Sequence, residues 1–216
     1  FIQSLISHFK KWSNGPYVKA IIIESSTGLF AIDPDDCGVG GNLSRNGSYG
    51  IDELERIKPY ITAESRVLIV GAHVGTLAIP ISKTCKEVIA IEANIRTYNL
   101  LKINLLLNDI SNCQPINIAS SDKEETIDFL MSKANSGGSK RVPKIQKYMY
   151  YYDKPEIVSV KGYPLDSYLE NKEFDLIIMD IEGSEYFALK GMQTLLSKAK
   201  VLVVDFLPHH LKYVSD

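Results

Sequence analysis

Three acids fall within one short stretch, Asp180-Ile181-Glu182-Gly183-Ser184-Glu185, directly after the apolar run Leu176 to Met179. Such a concentration of carboxylates costs repulsion unless a positive group or a proton sits among them. A sulfonium meets that need, and so does a proton leaving a hydroxyl. Methyl transfer to a hydroxyl requires in-line positioning and a group that takes the hydroxyl proton, which makes Asp180 and Glu182 the candidate catalytic pair. Two plainer roles compete with this one. Acids in a first helical turn complement the helix dipole, a role that suits Glu185 best, and paired acids hold divalent ions. No histidine stands at ligand spacing beside them, so no metal site is expected.

A second group of residues points to a nucleoside. Val67 to Val70 is an apolar run leading into Gly71-Ala72-His73-Val74-Gly75 and then the apolar segment TLAIPIS. That pattern predicts a tight strand-to-helix bend whose free amides face a ligand. A dinucleotide fingerprint needs a glycine where His73 stands, so a pyrophosphate fits poorly. The next apolar run ends in Glu92, followed by Ala93 and Asn94, about 20 residues beyond the first glycine. A carboxylate there accepts hydrogen bonds from both ribose hydroxyls and repels a phosphorylated ribose. S-adenosylmethionine satisfies both conditions, with an adenosine and no phosphates. Asp180 is also expected on the cofactor side, near the sulfonium.

Other residues compete for the same crevice. Ser120, Ser121 and Asp122 follow the run PINIAS and are placed to meet an adenine edge. His73 and the pair His209-His210 sit at the same predicted edge of a sheet. SKRVPKIQKYMYYYDK mixes lysine, arginine and tyrosine and suits a sugar, a phosphate or a base, or else a solvated loop. With ANSGGS before it, this stretch is long enough to cover an acceptor pocket.

Strand and helix patterns must bring these residues together. From Arg66 the chain alternates VLIV, TLAIPISKT, EVIAIE, IRTYNLLKINLLLND and PINIAS, then resumes with FDLIIMD and VLVVDF. This predicts an α/β fold with five central strands, mostly parallel, and helices on both faces. In such a sheet, ligands lie outside the carboxyl ends of the strands where strand order reverses. ETIDFLM and IVSVKG read as strands of an excursion from the sheet edge. One helix is expected to carry Tyr186, Leu189, Met192 and Leu195 on its apolar face. Upstream, Phe1, Ile2, Leu5, Ile6, Phe9 and Trp12 predict an amphipathic helix, packed on the domain or on a second subunit. VKAIIIES and GLFAID predict a hairpin. DPDDCGVGGNLSRNGSYG reads as a connection, and Asp52 as the N-cap of IDELERIKPYI. We therefore expect an N-terminal extension over residues 1–46 and one Rossmann-like domain over residues 47–216.

The composition narrows the partners. With 216 residues, 45% of them hydrophobic, the chain fills one core and is too short for two ordinary domains. A net charge of −2 supplies no global basic field, so a small hydroxylated acceptor is expected and nucleic acid is not. Cys37, Cys85 and Cys113 are odd in number and widely spaced, which argues against a disulfide framework and suits a reducing cytoplasm. No apolar run approaches a membrane span.

The blocks VLIVGAHVGTLAIPIS, VIAIEANIRTYNLLKINLLLND, INIASSD, ANSGGS, LDSYL and FDLIIMDIEGSEYFALKGM, in that order, resemble the FkbM-type S-adenosylmethionine-dependent methyltransferases. The resemblance runs roughly from Gly47 to Pro208, and its most diagnostic part is the Asp-x-Glu-Gly-x-Glu block followed by Ala-Leu-Lys-Gly. It implies a class I methyltransferase fold and O-methylation of a hydroxyl on a sugar or natural product. By that likeness Gly71, His73, Gly75, Glu92, Asn94, Asn104 and Ser121 line the cofactor site, and Asp180 and Glu182 face the acceptor. The chain departs from the family in two places. Leu-Ile-Val precedes the first glycine where an acid is usual, and His73 stands where an asparagine is common. Two alternatives remain: a noncatalytic module that keeps the fold, and a nicotinamide-dependent oxidoreductase.

Overall fold

The computed structural model describes residues 17–206 except Gln146, together with Phe9, Ser13 and Gly15. The predicted N-terminal helix falls almost wholly outside the described residues, and His209-His210 lies outside them. A hairpin opens the described chain, β1 (Ile21–Ser25) and β2 (Gly28–Ile32), followed by α1 (Val39–Asn46) and α2 (Ile51–Ile57). The central unit then runs β3 (Arg66–Val70), α3 (Ala78–Ser82), β4 (Glu87–Ile91), α4 (Ile95–Leu107) and β5 (Cys113–Ile116). An excursion follows: β6 (Ala119–Ser120), β7 (Glu125–Met131), β8 (Lys140–Arg141), α5 (Tyr148–Tyr151), β9 (Glu156–Tyr163) and α6 (Leu165–Tyr168). The chain returns through β10 (Leu176–Met179), α7 (Glu185–Lys190), α8 (Gln193–Lys198) and β11 (Val201–Val204).

The fold is Rossmann-like α/β. Five parallel strands lie in the order β11-β10-β3-β4-β5, so the order reverses between β3 and β10. Successive residues of β3 point to opposite faces. Val67 and Ile69 join one core with α3, α4, the hairpin and α1, while Leu68 and Val70 join the other with Leu165, Ala188 and Met192. Burial on both faces explains why these strands read as continuous apolar runs. The excursion builds a second sheet, β6-β9-β7-β8, whose long antiparallel pair is β7 with β9.

Asn104 ties these layers together. Its side chain, fully buried on α4, accepts from the Ala31 amide at 2.6 Å and donates to the carbonyls of Ala31 and Val74. The hairpin edge, the helix and the turn after β3 thus share one amide group. Phe30, Ala31 and Ile32 are accordingly buried in the same core as the central strands.

Four local expectations are corrected. The glycine-rich connection contains α1, because Asp36 accepts from the Gly38 and Gly40 amides and organises the helix start. Gly50, in the left-handed region, occupies the N-cap of α2 and Asp52 lies within the first turn. The single helix expected around Tyr186 is two, broken at Gly191, where a Cβ would stand 1.9 Å from the Ser121 carbonyl oxygen. Tyr186 is exposed, whereas Met192 and Leu195 are buried. PINIAS is not one strand, since β5 ends at Ile116 and Ala119–Ser120 pairs with β9 in the second sheet.

Candidate active site

A cavity opens at the carboxyl ends of β3, β4 and β10, beside the reversal of strand order. Its walls include Gly71, Ala72 and His73 from the turn after β3, Glu92 and Ala93 from the tip of β4, and Ser120 beyond β5. Asp180 and Glu182 beyond β10 form the other side. The two sides are forced close together at Gly71. A Cβ there would lie 1.8 Å from the Asp180 carbonyl oxygen, and φ is +93°. Only glycine lets the two tips meet.

Glu92, 7% exposed, organises the turn. Its Oε2 accepts from the His73 amide at 2.7 Å, while Oε1 accepts from the Asn94 amide and from the Thr97 hydroxyl. An ionised carboxylate offers about four acceptor positions, so one remains for a ligand hydroxyl. Ser120 is buried, and its hydroxyl has no partner among the described residues.

His73 adopts φ +51°, an uncommon conformation for a residue with a side chain. Its Nε2 lies 2.7 Å from the Ser136 hydroxyl, which itself donates to Asp36 Oδ2 at 2.9 Å. Asp36 is 2% exposed and also accepts from two glycine amides. The SGGS turn is thereby fastened to the cavity from two sides, because Ser139 also accepts from the Asn94 side-chain amide. His73 Nδ1 is buried and has no partner among the described residues.

The opposite wall is acidic. Asp180 opens onto the cavity yet has protein on most sides. That burial, then the charges of Glu182, Asp205, Glu53 and Glu185, push its pKa up to about 7. Burial followed by the charge of Asp205 raises the Glu53 carboxyl, and burial followed by Asp180 raises the Tyr49 phenol. Glu182, at φ +55°, pairs with Lys140 at 3.0 Å. The ammonium of Lys140 also lies 5.0 Å from the Tyr150 ring centroid. Lys140 and Arg141 therefore turn inward from the basic stretch, and Arg141 is held by Glu125 at 2.8 Å.

Several expected site residues stand back from the cavity. Gly75 packs against α4, where a Cβ would lie 2.7 Å from Leu101. Asn94 caps α4 by accepting from the Arg96 amide. Asn104 is the interlayer staple described above. Ser121 is fully buried and bonded to Glu125 and Arg141. Asp122 faces away, paired with Lys190 at 2.9 Å, a hydrogen bond that lowers its pKa. Glu185 closes its own turn by accepting from the Gly183 amide. Sequence reasoning missed Asp36, Tyr49 and Glu53; Ser136 and Lys140 lie in the stretches it reads as a cover for an acceptor pocket, but it does not foresee their partners His73 and Glu182. Only Asp36 carried a local signal, an acid two and four residues before glycines whose amides it caps.

Comparison with known proteins bears on the family. No curated protein matches the chain. Among solved structures, Trm5b from Pyrococcus abyssi is similar at 15% identity and TM-score 0.47, over 86% of this chain and 39% of that one. A methyltransferase FkbM from Methylobacillus flagellatus KT is similar at 18% identity and TM-score 0.46, over 67% and 33%. The tRNA m1G37 methyltransferase of M. jannaschii is similar at 18% identity and TM-score 0.44, over 86% and 40%. The chain thus spans 33 to 40% of the length of these three. The model of the methyltransferase FkbM domain matches residues 70–213. The chain therefore belongs to the FkbM methyltransferase domain family.

Proposed function

We propose that this protein is an S-adenosylmethionine-dependent O-methyltransferase that methylates a hydroxyl of a small acceptor, such as a sugar or a natural product. The observation that carries the reading is Glu92, a nearly buried carboxylate on the cavity wall with one acceptor position unspent. In this reading that position takes a ribose hydroxyl. Ser120 meets the adenine edge, and the backbone of Gly71, Ala72, His73 and Ala93 lies along the nucleoside.

The chemistry of the cavity fits the cofactor. Glu53, Glu92, Asp180 and Glu182 all line it, which suits a ligand with a sulfonium and an ammonium and opposes one with two phosphates. Arg141, which lines it, is already committed to Glu125, and Lys140, which does not line it, is paired with Glu182. The cavity measures about 210 Å³, below the roughly 300 Å³ at which ordinary ligand sites begin.

When bound, the cofactor supplies an electrophilic methyl group. The chain's own residues do the rest. Asp180, with a pKa near neutrality, takes the proton of the acceptor hydroxyl, which is where a general base works best. Glu182, held by Lys140, stands beside it as a like charge that favours its protonated form.

Calorimetry tests the assignment. S-adenosylhomocysteine should bind and NAD should not. Binding of the dinucleotide alone would replace this reading with the oxidoreductase, and the absence of binding by either would favour a noncatalytic module.

A further inference from the structure

His73 lines the cavity, its Nδ1 atom is buried with no partner among the described residues, and the hydrogen bonds around the ring define what it can do. Asp36 accepts the Ser136 hydroxyl proton at Oδ2. The Ser136 oxygen must then accept from the ring, so the proton of the neutral imidazole sits on Nε2. Nδ1 is left as a bare acceptor. A buried acceptor of this kind costs free energy unless something donates to it.

Strand order indicates what donates. Resting on the cofactor reading above, the nucleoside lies across the tips of β4 and β5, with Glu92 at its ribose and Ser120 at its base. The amino-acid arm must then run toward the tips of β3 and β10, past His73. Strand β3 itself, Arg66 to Val70, carries no acid. That arm bears a carboxylate and an ammonium, and a bare nitrogen lone pair repels the first and accepts from the second.

We propose that His73 Nδ1 is the positioning acceptor for the α-ammonium of the cofactor, held in that tautomer by Ser136 and Asp36. Asp36, which does not line the cavity, acts only through Ser136 and the ring, while Ser136 lines the cavity beside His73.

Two nucleosides separate this role from a general one: S-adenosylhomocysteine, and methylthioadenosine, which has the same thioether but no amino-acid arm. His73→Gly keeps the left-handed backbone conformation without strain and removes the acceptor. It should weaken S-adenosylhomocysteine about tenfold, the equivalent of one hydrogen bond to a charged group, and leave methylthioadenosine within about twofold. Ser136→Ala should show the same selectivity, because the ring is freed to carry its proton on Nδ1. Nitrogen NMR of labelled histidine should show the Nε2–H form in the wild type and its loss in Ser136→Ala. Equal losses for the two nucleosides, no loss for either, or an Nδ1–H ring in the wild type would each overturn the proposal. Wild-type protein that binds neither nucleoside would instead remove the cofactor reading on which it stands.

Discussion

The amide of His73 donates to the Oε2 atom of Glu92 across 2.7 Å, so the residue assigned to the ribose also shapes the turn that faces the cofactor. Glu92→Ala leaves the His73 and Asn94 amides and the Thr97 hydroxyl without their shared acceptor. At about 1 to 3 kcal/mol for each unsatisfied buried group, partly relieved by water, the variant should lose roughly 2 to 4 kcal/mol of stability. It should also lose the thermal stabilisation by S-adenosylhomocysteine expected of the wild type. Urea unfolding and thermal shift measure the two effects separately. Glu92→Gln isolates the charge, and a full ligand response in that variant would contradict the ribose assignment.

Asp180 makes stability depend on pH with a definite sign. Its carboxyl is raised from 3.8 to about 7, so the folded state holds a proton that the unfolded chain has released. The resulting stabilisation is complete below about 4 and is lost as pH rises toward about 7. Asp180→Asn lacks this term. Its melting temperature relative to the wild type should therefore climb across that window and level off above it. A difference that does not vary with pH would show that the carboxyl is not raised. The same variant should keep its affinity for S-adenosylhomocysteine.

Much of this site was legible because two strands end in it. The runs before Gly71 and Asp180 are buried on both faces and apolar throughout, so their ends, and the residues just past them, could be read directly. What escaped was contributed from outside the parallel sheet. Ser136 reaches His73 from a turn 63 positions away, and Lys140 reaches Glu182 from 42 positions away. Neither pairing has a periodicity or a spacing. Ser121 and Asp122 stand back from the cavity because β5 ends early and the chain leaves for the second sheet, a switch that continuous hydrophobicity conceals. Asn104 looked like a ligand contact because a buried amide within an apolar helix suits a ligand and an interlayer staple equally well.

Asn104 separates those two roles experimentally. Asn104→Ala removes both partners of Ala31 and the donor to Val74. The loss should be about 3 kcal/mol, set by the buried groups left unpaired, and nucleoside affinity should change little at temperatures where the variant is folded. Denaturant titration and calorimetry on the same preparation give both numbers. A large loss of affinity with unchanged stability would return Asn104 to the cofactor site.

Lys140 and Glu182 form an ion pair in which the lysine side chain is 6% exposed and the glutamate 20%. Removing one member of a buried pair leaves the other charge uncompensated, at a cost of roughly 3 to 5 kcal/mol when burial is complete. Glu182 retains some solvent, so Lys140→Met should cost somewhat less, and it also loses the contact with Tyr150. Glu182→Gln should cost less again, because the lysine keeps a polar neighbour. The double variant should be more stable than Lys140→Met alone, since the charge left behind has gone, and a double-mutant cycle read by urea unfolding gives the coupling. A coupling near zero would mean that the pair serves geometry alone, holding Glu182 beside Asp180 without stabilising the fold.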